Sequence, residues 1–221
     1  MGTVVAIVPA GGSGERLGSG RPKAFVPVAG RALLDWSVEV LASACDRVVV
    51  AVPAGEEAPP DRVRGGDSRS ASVRSALEAA PEAEVAVVHD AARPLLTREL
   101  VERCLAALAG GPFDGVIAAA RVTDTIKQAD GAGRVLRTLE RSALWAVQTP
   151  QVFHAAALRR ALAVDGATLA AATDDASLLE AAGGTVGVVE SSPENLKVTT
   201  PLDLRVAEAL LRARTPARPV Q

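Results

Sequence analysis

Thr3-Val4-Val5-Ala6-Ile7-Val8 runs straight into Pro9-Ala10-Gly11-Gly12-Ser13-Gly14-Glu15-Arg16-Leu17-Gly18. The first six residues are mostly β-branched, and the five after Thr3 are apolar without polar alternation, which predicts a strand buried on both faces. A glycine-rich turn follows at once. In an open α/β sheet a loop at the carboxyl end of a central parallel strand is where a ligand binds. Glycines let successive backbone N–H groups approach a polyphosphate. Two common phosphate motifs do not fit. A P-loop closes on Gly-Lys-Ser/Thr, whereas Gly18 is followed by Ser19-Gly20. A dinucleotide fingerprint needs glycine at the position of Leu17, and Gly18 falls one place late.

Outward from this stretch the same rhythm repeats. Arg47–Val52, Glu84–Val88, Asp114–Ala118 and Thr185–Val189 read as further strands. Arg31–Ala44, Ser70–Ala80, Thr97–Leu108, Ala155–Ala163, Asp174–Ala182 and Pro201–Arg212 carry helical periodicity, with caps at Thr97 and Thr200. Strands alternating with helices predict an α/β fold, a Rossmann-like, mostly parallel sheet flanked by helices. One segment breaks the pattern. Residues 122–147 hold two short strand-like runs, Asp124–Gln128 and Arg134–Leu139, around a glycine-rich turn, which predicts a protruding hairpin arm. A lone hairpin is marginal in water, so this arm is expected to pack on something, a second copy of the chain being one candidate. The expected layout is one domain over 1–213 and a flexible tail over 214–221.

Composition excludes several functions. The chain has 221 residues, 24 Lys+Arg against 26 Asp+Glu, a net charge of −2, 48% apolar residues and 23% charged. That balance is globular. Three Phe, two Trp and no Tyr offer no stacking platform for single-stranded nucleic acid, and the charge offers no basic footprint. No apolar run approaches the ~20 residues of a membrane span. Cys45 and Cys104 form neither a zinc spacing nor a disulfide framework, and the expected location is the cytoplasm.

Charged and polar residues cluster at the predicted strand ends. Arg16 and Lys23 stand in and after the glycine loop. Gly65-Gly66-Asp67-Ser68-Arg69-Ser70-Ala71-Ser72 opens a helix, and His89-Asp90-Ala91-Ala92-Arg93 follows a buried strand. Thr173-Asp174-Asp175 suits a helix cap better than a Mg²⁺ site. His89 reads as a structural histidine. Lys127, Arg134 and Arg137 read as solvated charges of the hairpin.

With the glycine loop, Arg16 and Pro22-Lys23 in place, the chain resembles the nucleotidyltransferases that activate sugars and sugar alcohols. Within them, from Val5 to Leu204, it resembles the 2-C-methyl-D-erythritol 4-phosphate cytidylyltransferase family. The resemblance implies that CMP is transferred from CTP to methylerythritol phosphate with Mg²⁺, by a homodimer that exchanges its arms. Carried over residue by residue, it implies that Arg16, Lys23, Arg141 and Lys197 are catalytic. The nucleotide would meet Pro9, Ala10, Gly11, Gly12, Gly14, Gly66, Asp67, Ser72, Asp90 and Ala91. The phosphate substrate would meet Asp90, Arg93, Thr125, Arg141, Thr149 and Lys197, with Asp90 also near the metal. Two departures stand out. Ala10-Gly11 replaces the usual Ala-Ala, and Pro53–Gly65 is short and Pro-rich, as if a local helix or strand were missing. A ribitol-5-phosphate cytidylyltransferase and a catalytically silent nucleotide-binding regulator share most of these features. An NAD-binding oxidoreductase is disfavoured by Gly18.

Overall fold

In the computed structural model, which describes residues 2–18, 20–53 and 61–214, the expected strands form one seven-stranded sheet. They are β1 (Val4–Pro9), β4 (Arg47–Val52), β6 (Val85–Val88), β7 (Gly115–Arg121) and β11 (Val186–Glu190), joined by β5 (Arg62–Arg64) and β10 (Trp145–His154). Their order is β11-β7-β10-β6-β1-β4-β5, parallel except for β10, which runs antiparallel to both neighbours. The short pairs β2 (Pro27–Val28) with β3 (Arg31–Ala32) and β8 (Lys127–Ala129) with β9 (Val135–Thr138) lie outside that sheet.

The unbroken apolar strands are explained by what covers them. Along β1, Val5 and Ile7 join one core with Val73, Ala76 and Leu77 of α2 (Arg69–Glu78) and Leu158 of α4 (Ala155–Ala161). Val4, Ala6 and Val8 join the opposite core with Leu34 and Leu41 of α1 (Leu33–Ala44) and Val101, Cys104 and Leu108 of α3 (Arg98–Gly110). Successive strand side chains point to opposite faces, so both sets must be apolar when helices cover both. A short α5 (Gly166–Ala171), not expected from the sequence, adds Leu169 to the first core, and α6 (Asp175–Ala181) adds Leu178 and Leu179. The last helix, α7 (Pro201–Arg214), closes a third core with Ala207 and Leu211 against Leu33 and Val198.

Four expectations need correction or sharpening. Within 53–65, where a local helix or strand was expected to be missing, residues 62–64 form the edge strand β5, paired in parallel with Val50–Val52 of β4, and residues 54–60 lie outside the described residues. Arg31–Ala32 forms a strand turn rather than the first turn of a helix, and α1 starts at Leu33. The hairpin strands sit at 127–129 and 135–138, and Trp145–Val147, placed in the arm by pattern, pair with Ala119–Arg121 in the main sheet. Finally, β10 was not legible as a strand because Gln148-Thr149-Pro150-Gln151 interrupts its apolar run. The register with β7 shifts across those residues. The last helix runs to Arg214, and the tail beyond it lies outside the described residues.

Candidate active site

The sheet reverses its winding at β1, which has β4 on one side and β6 on the other. Ligands bind at such a switch point, beyond the carboxyl ends of the strands. Here the loops after β1, β4 and β6 enclose a cleft of about 310 Å³. The glycine loop supplies one wall through Pro9, Ala10, Gly11 and Gly12. Gly66, Asp67 and Ser72 supply a second, and Asp90 and Ala91 a third. Lys23 and Lys197 line it as well.

Local packing explains the glycines. Gly14 has φ 75°, and a Cβ there would come within 3.0 Å of the Arg21 carbonyl and 3.3 Å of the Lys23 backbone nitrogen. Gly14 does not line the cleft; it lets the Arg21–Lys23 segment fold against the loop. The Lys23 N–H then donates to the Gly12 carbonyl at 2.9 Å. On the facing wall, a Cβ on Gly66 would meet Ala71 Cβ at 2.6 Å, so only glycine permits this close turn into α2. Ser68 caps that helix through the Ala71 N–H, and the Ser72 hydroxyl donates to the Ser68 carbonyl at 2.9 Å.

A second hollow of about 370 Å³ adjoins the first and shares Arg69, Asp90 and Lys197 with it. Its other walls include Arg93, Gln148, Thr149, Gln151 and Thr173. Asp90 stands at the seam. One carboxylate oxygen accepts from Arg69 Nε at 2.9 Å; the other faces Lys197 Nζ at 2.9 Å and Arg93 Nε at 3.8 Å. Burial alone would raise its pKa, but Arg69 and Lys197 outweigh burial and hold it well below the ordinary carboxylate range. Around Lys23 the sign reverses. Burial, then the charge of Lys197, pulls its pKa below the usual 10.5; Asp90 opposes this, and Arg16 and Arg93 add to it. Lys23, Lys197, Arg16 and Arg93 therefore repel one another at the mouth of β1, and Asp90 offsets part of that charge.

His89 is wholly buried. Its partners settle its tautomer. Thr149 Oγ1 accepts from the Asp90 N–H at 3.0 Å and so turns its own hydrogen toward His89 Nδ1, also at 3.0 Å. His89 Nε2 is left to donate to the Arg93 carbonyl at 3.1 Å. The ring is structural, as expected, and burial pushes its pKa down to about 4. Below the unfolded-state value near 6.5, the unfolded chain binds a proton that the native ring refuses, so stability is fully present above pH 6.5 and lost as pH falls toward 4. The full loss is on the order of 3 kcal/mol. Urea unfolding at pH 7.5 and 4.5 checks this: His89→Gln should show a smaller drop between the two pH values than the parent. An equal drop in both proteins would contradict it.

The remaining expected residues divide into two groups. Arg93 and Thr149 are buried on the second hollow, and the Arg93 guanidinium donates to the Asn195 carbonyl at 2.7 Å. Asp174 caps α6 by accepting from the Ser177 N–H at 3.0 Å, as expected. Arg16 is exposed and does not line the cleft, although its charge reaches Lys23. Thr125 and Arg141 lie on the exposed arm and line neither hollow of their own chain; Arg141 Nη1 donates to the Thr123 carbonyl at 2.6 Å. Lys127, Arg134 and Arg137 bond to Thr138, Asp130 and Gln128 within the hairpin, tying its strands together.

Arg69 was missed. It is the first residue of α2, where a cation opposes the helix dipole, and that misfit was the available signal. Asp175, read only as a favourable first-turn acid, is fully buried and accepts from Arg69 Nη1 at 2.6 Å. Gln151 was also missed: it donates to Asp174 at 2.8 Å on the floor of the second hollow.

The glycine loop at the switch strand, the lysine-lined cleft and the polar hollow beside it fit a nucleotidyltransferase, and comparison with known proteins shows that class. The profile of 2-C-methyl-D-erythritol 4-phosphate cytidylyltransferase matches residues 4–213. A protein of that description from Nocardia farcinica is 48% identical over 96% of this chain and 96% of its own length. One from Prochlorococcus marinus is 41% identical over 94% and 98%. The crystal structure of the Thermus thermophilus enzyme of that name superposes with a TM-score of 0.81 at 38% identity, covering 95% of this chain and 99% of that one. The chain belongs to the 2-C-methyl-D-erythritol 4-phosphate cytidylyltransferase family.

Proposed function

We propose that this protein transfers CMP from CTP to 2-C-methyl-D-erythritol 4-phosphate, giving 4-diphosphocytidyl-2-C-methyl-D-erythritol and pyrophosphate in non-mevalonate isoprenoid biosynthesis. Family membership supports the substrates. The single structural observation that carries the reading is the pair of hollows meeting at Asp90, Arg69 and Lys197. CTP lies along the glycine loop with its phosphates toward Lys23, and Arg16, outside the cleft, adds its charge. The acceptor lies in the second hollow, its phosphate toward Lys197, Arg93 and Thr149. The buried Arg93 Nε, which has no hydrogen-bond partner, is a donor free to serve it.

An acceptor phosphate oxygen attacks the α-phosphorus in line. The new O–P bond forms as the bond to the β-phosphate oxygen breaks, and pyrophosphate leaves with that electron pair. The attacking group is already ionised, so no general base is required, and His89 has no part in proton transfer. The protein aligns two anions and compensates their charge.

Mg²⁺ enters this reading as part of the substrate. Among the described residues no group of three or more His, Cys, Asp or Glu side chains is placed to hold a metal. Asp90 is the carboxylate at the seam, and both its oxygens already face cations. That donor set suits a Mg²⁺ carried by triphosphate oxygens and water, with Asp90 at most one ligand, as Mg²⁺ commonly binds. When bound, it draws charge from the triphosphate and orients it.

The active form is a homodimer in which the arm of one chain supplies Arg141 and Thr125 to the cleft of its partner. This is supported by the arm's exposure: Val135 and Leu136 are 55% and 54% exposed. Arg141→Ala should then raise KM for the phosphate acceptor with KM for CTP little changed, and steady-state kinetics with each substrate varied checks this. The reaction is placed in the cytoplasm, consistent with free thiols at Cys45 and Cys104. Among the described residues no helix is long and apolar enough to cross a membrane.

Pyrophosphate release with CTP, Mg²⁺ and a panel of polyol phosphates tests the whole reading. Methylerythritol 4-phosphate should support the fastest turnover. Faster turnover with ribitol 5-phosphate would reassign the acceptor, and CTP binding without pyrophosphate release from any acceptor would overturn the enzyme assignment.

A further inference from the structure

A carboxylate at the meeting point of two phosphates is an obstacle unless its charge is matched and its direction fixed. Asp90 meets both conditions through one guanidinium. Arg69 Nε holds Asp90 Oδ1 at 2.9 Å, and Arg69 Nη1 is held in turn by Asp175 Oδ2 at 2.6 Å. Asp175 is 0% exposed, and its other oxygen has no hydrogen-bond partner. It lines neither hollow, so no ligand touches it. A buried carboxylate with an unsatisfied oxygen is a poor device for stability alone. Its one visible bond aims Arg69 at the seam.

We infer that Asp175 is a positioning residue for cytidylyl transfer: by anchoring Arg69 it keeps one oxygen of Asp90 engaged, so that Lys197, ion-paired with the other oxygen at 2.9 Å, shares that carboxylate and can exchange it for phosphate. Without the anchor, Arg69 loses one of its two carboxylates and swings. Asp90, shared with one cation fewer, then holds Lys197 more tightly than in the present 2.9 Å pair. The lysine is slower to leave the carboxylate when the acceptor phosphate arrives. Misplacement by an ångström at a reacting centre costs about 100-fold in rate, whereas nucleotide held by the glycine loop is unaffected.

The inference rests on the cytidylyl-transfer reading, and its test separates the two. Parent, Asp175→Asn, Arg69→Lys and the double variant are compared by pyrophosphate release, CTP binding by calorimetry and thermal unfolding. Asp175→Asn should lose about 10- to 100-fold in kcat, with CTP affinity and unfolding midpoint close to the parent's. Arg69→Lys keeps the charge but not the two-pronged reach, and should show the same kcat-specific loss; it carries the test where Asp175→Asn does not fold. The double variant should lose no more than either single one, because both act through the same contact. Parental kcat in folded Asp175→Asn would overturn the inference while leaving the enzyme reading intact. So would a loss matched by a lowered midpoint, or losses that multiply. A parent enzyme without turnover would overturn the reading itself.

Discussion

Lys23→Ala is expected to lower kcat by about 100- to 1,000-fold, the usual consequence of removing one preorganised donor from a developing charge. The side chain lines the cleft beside Gly12, on a backbone pinned by the Lys23 N–H to Gly12 carbonyl bond. Burial and the neighbouring charges of Lys197, Arg16 and Arg93 all make its ammonium harder to keep, and Asp90 is the opposing influence. In the proposed reaction, a lysine held in so unfavourable a field serves the triphosphate, an anion that arrives with substrate. Two measurements should therefore move in opposite senses. Turnover falls steeply in the pyrophosphate-release assay, while the thermal midpoint of the ligand-free protein stays level or rises as like-charge repulsion is relieved. Turnover within a few-fold of the parent would reduce Lys23 to a structural lysine and remove the electrostatic account.

The second large effect is a recovery. Lys23→Ala homodimers are expected to be nearly inactive, and so are Arg141→Ala homodimers when the acceptor is held far below their raised KM. If the arm works across the dimer, a mixed dimer carries one doubly damaged site and one fully native site. Random reassortment of equal amounts then restores about a quarter of parental activity, a rise of roughly two orders of magnitude from two poor enzymes. The geometry behind this is specific. Lys23 sits on the loop after β1, whereas Arg141 sits in a short turn beyond the hairpin, outside both hollows of its own chain. Verified heterodimers that stay inactive would show that Arg141 acts within its own chain or not at all.

How much of this was readable from the sequence depended on the range of the forces involved. The strands β1, β4, β6, β7 and β11 and most of the helices follow from local apolar periodicity and caps. The glycine loop announced itself through positions such as Gly14, where left-handed backbone demands glycine, and the facing turn into α2 through Gly66, where close approach to Ala71 does. Residues with a single chemical office, such as Lys23 and Lys197, were found through family resemblance and fell into the same cleft. Strand β10 was hidden because the polar residues that interrupt its pattern face the second hollow; function had displaced the hydrophobic code there. Arg69 and Asp175 were missed for a related reason. They are separated by 106 residues along the chain, and their pairing exists only once α2 and α6 pack on the same face of the sheet.

The sequence by itself determined the element types, the two apolar faces of the sheet and the placement of a glycine-rich loop after its first strand, because these rest on interactions between near neighbours in the chain. Only the tertiary structure decided which charges share a field. Lys23, Asp90, Arg93 and Lys197 span most of the chain's length, and Coulomb energies depend on distance in space rather than separation in sequence. The surroundings of Asp90 were likewise decided by folding, which brought three cations, Arg69, Arg93 and Lys197, around one carboxylate.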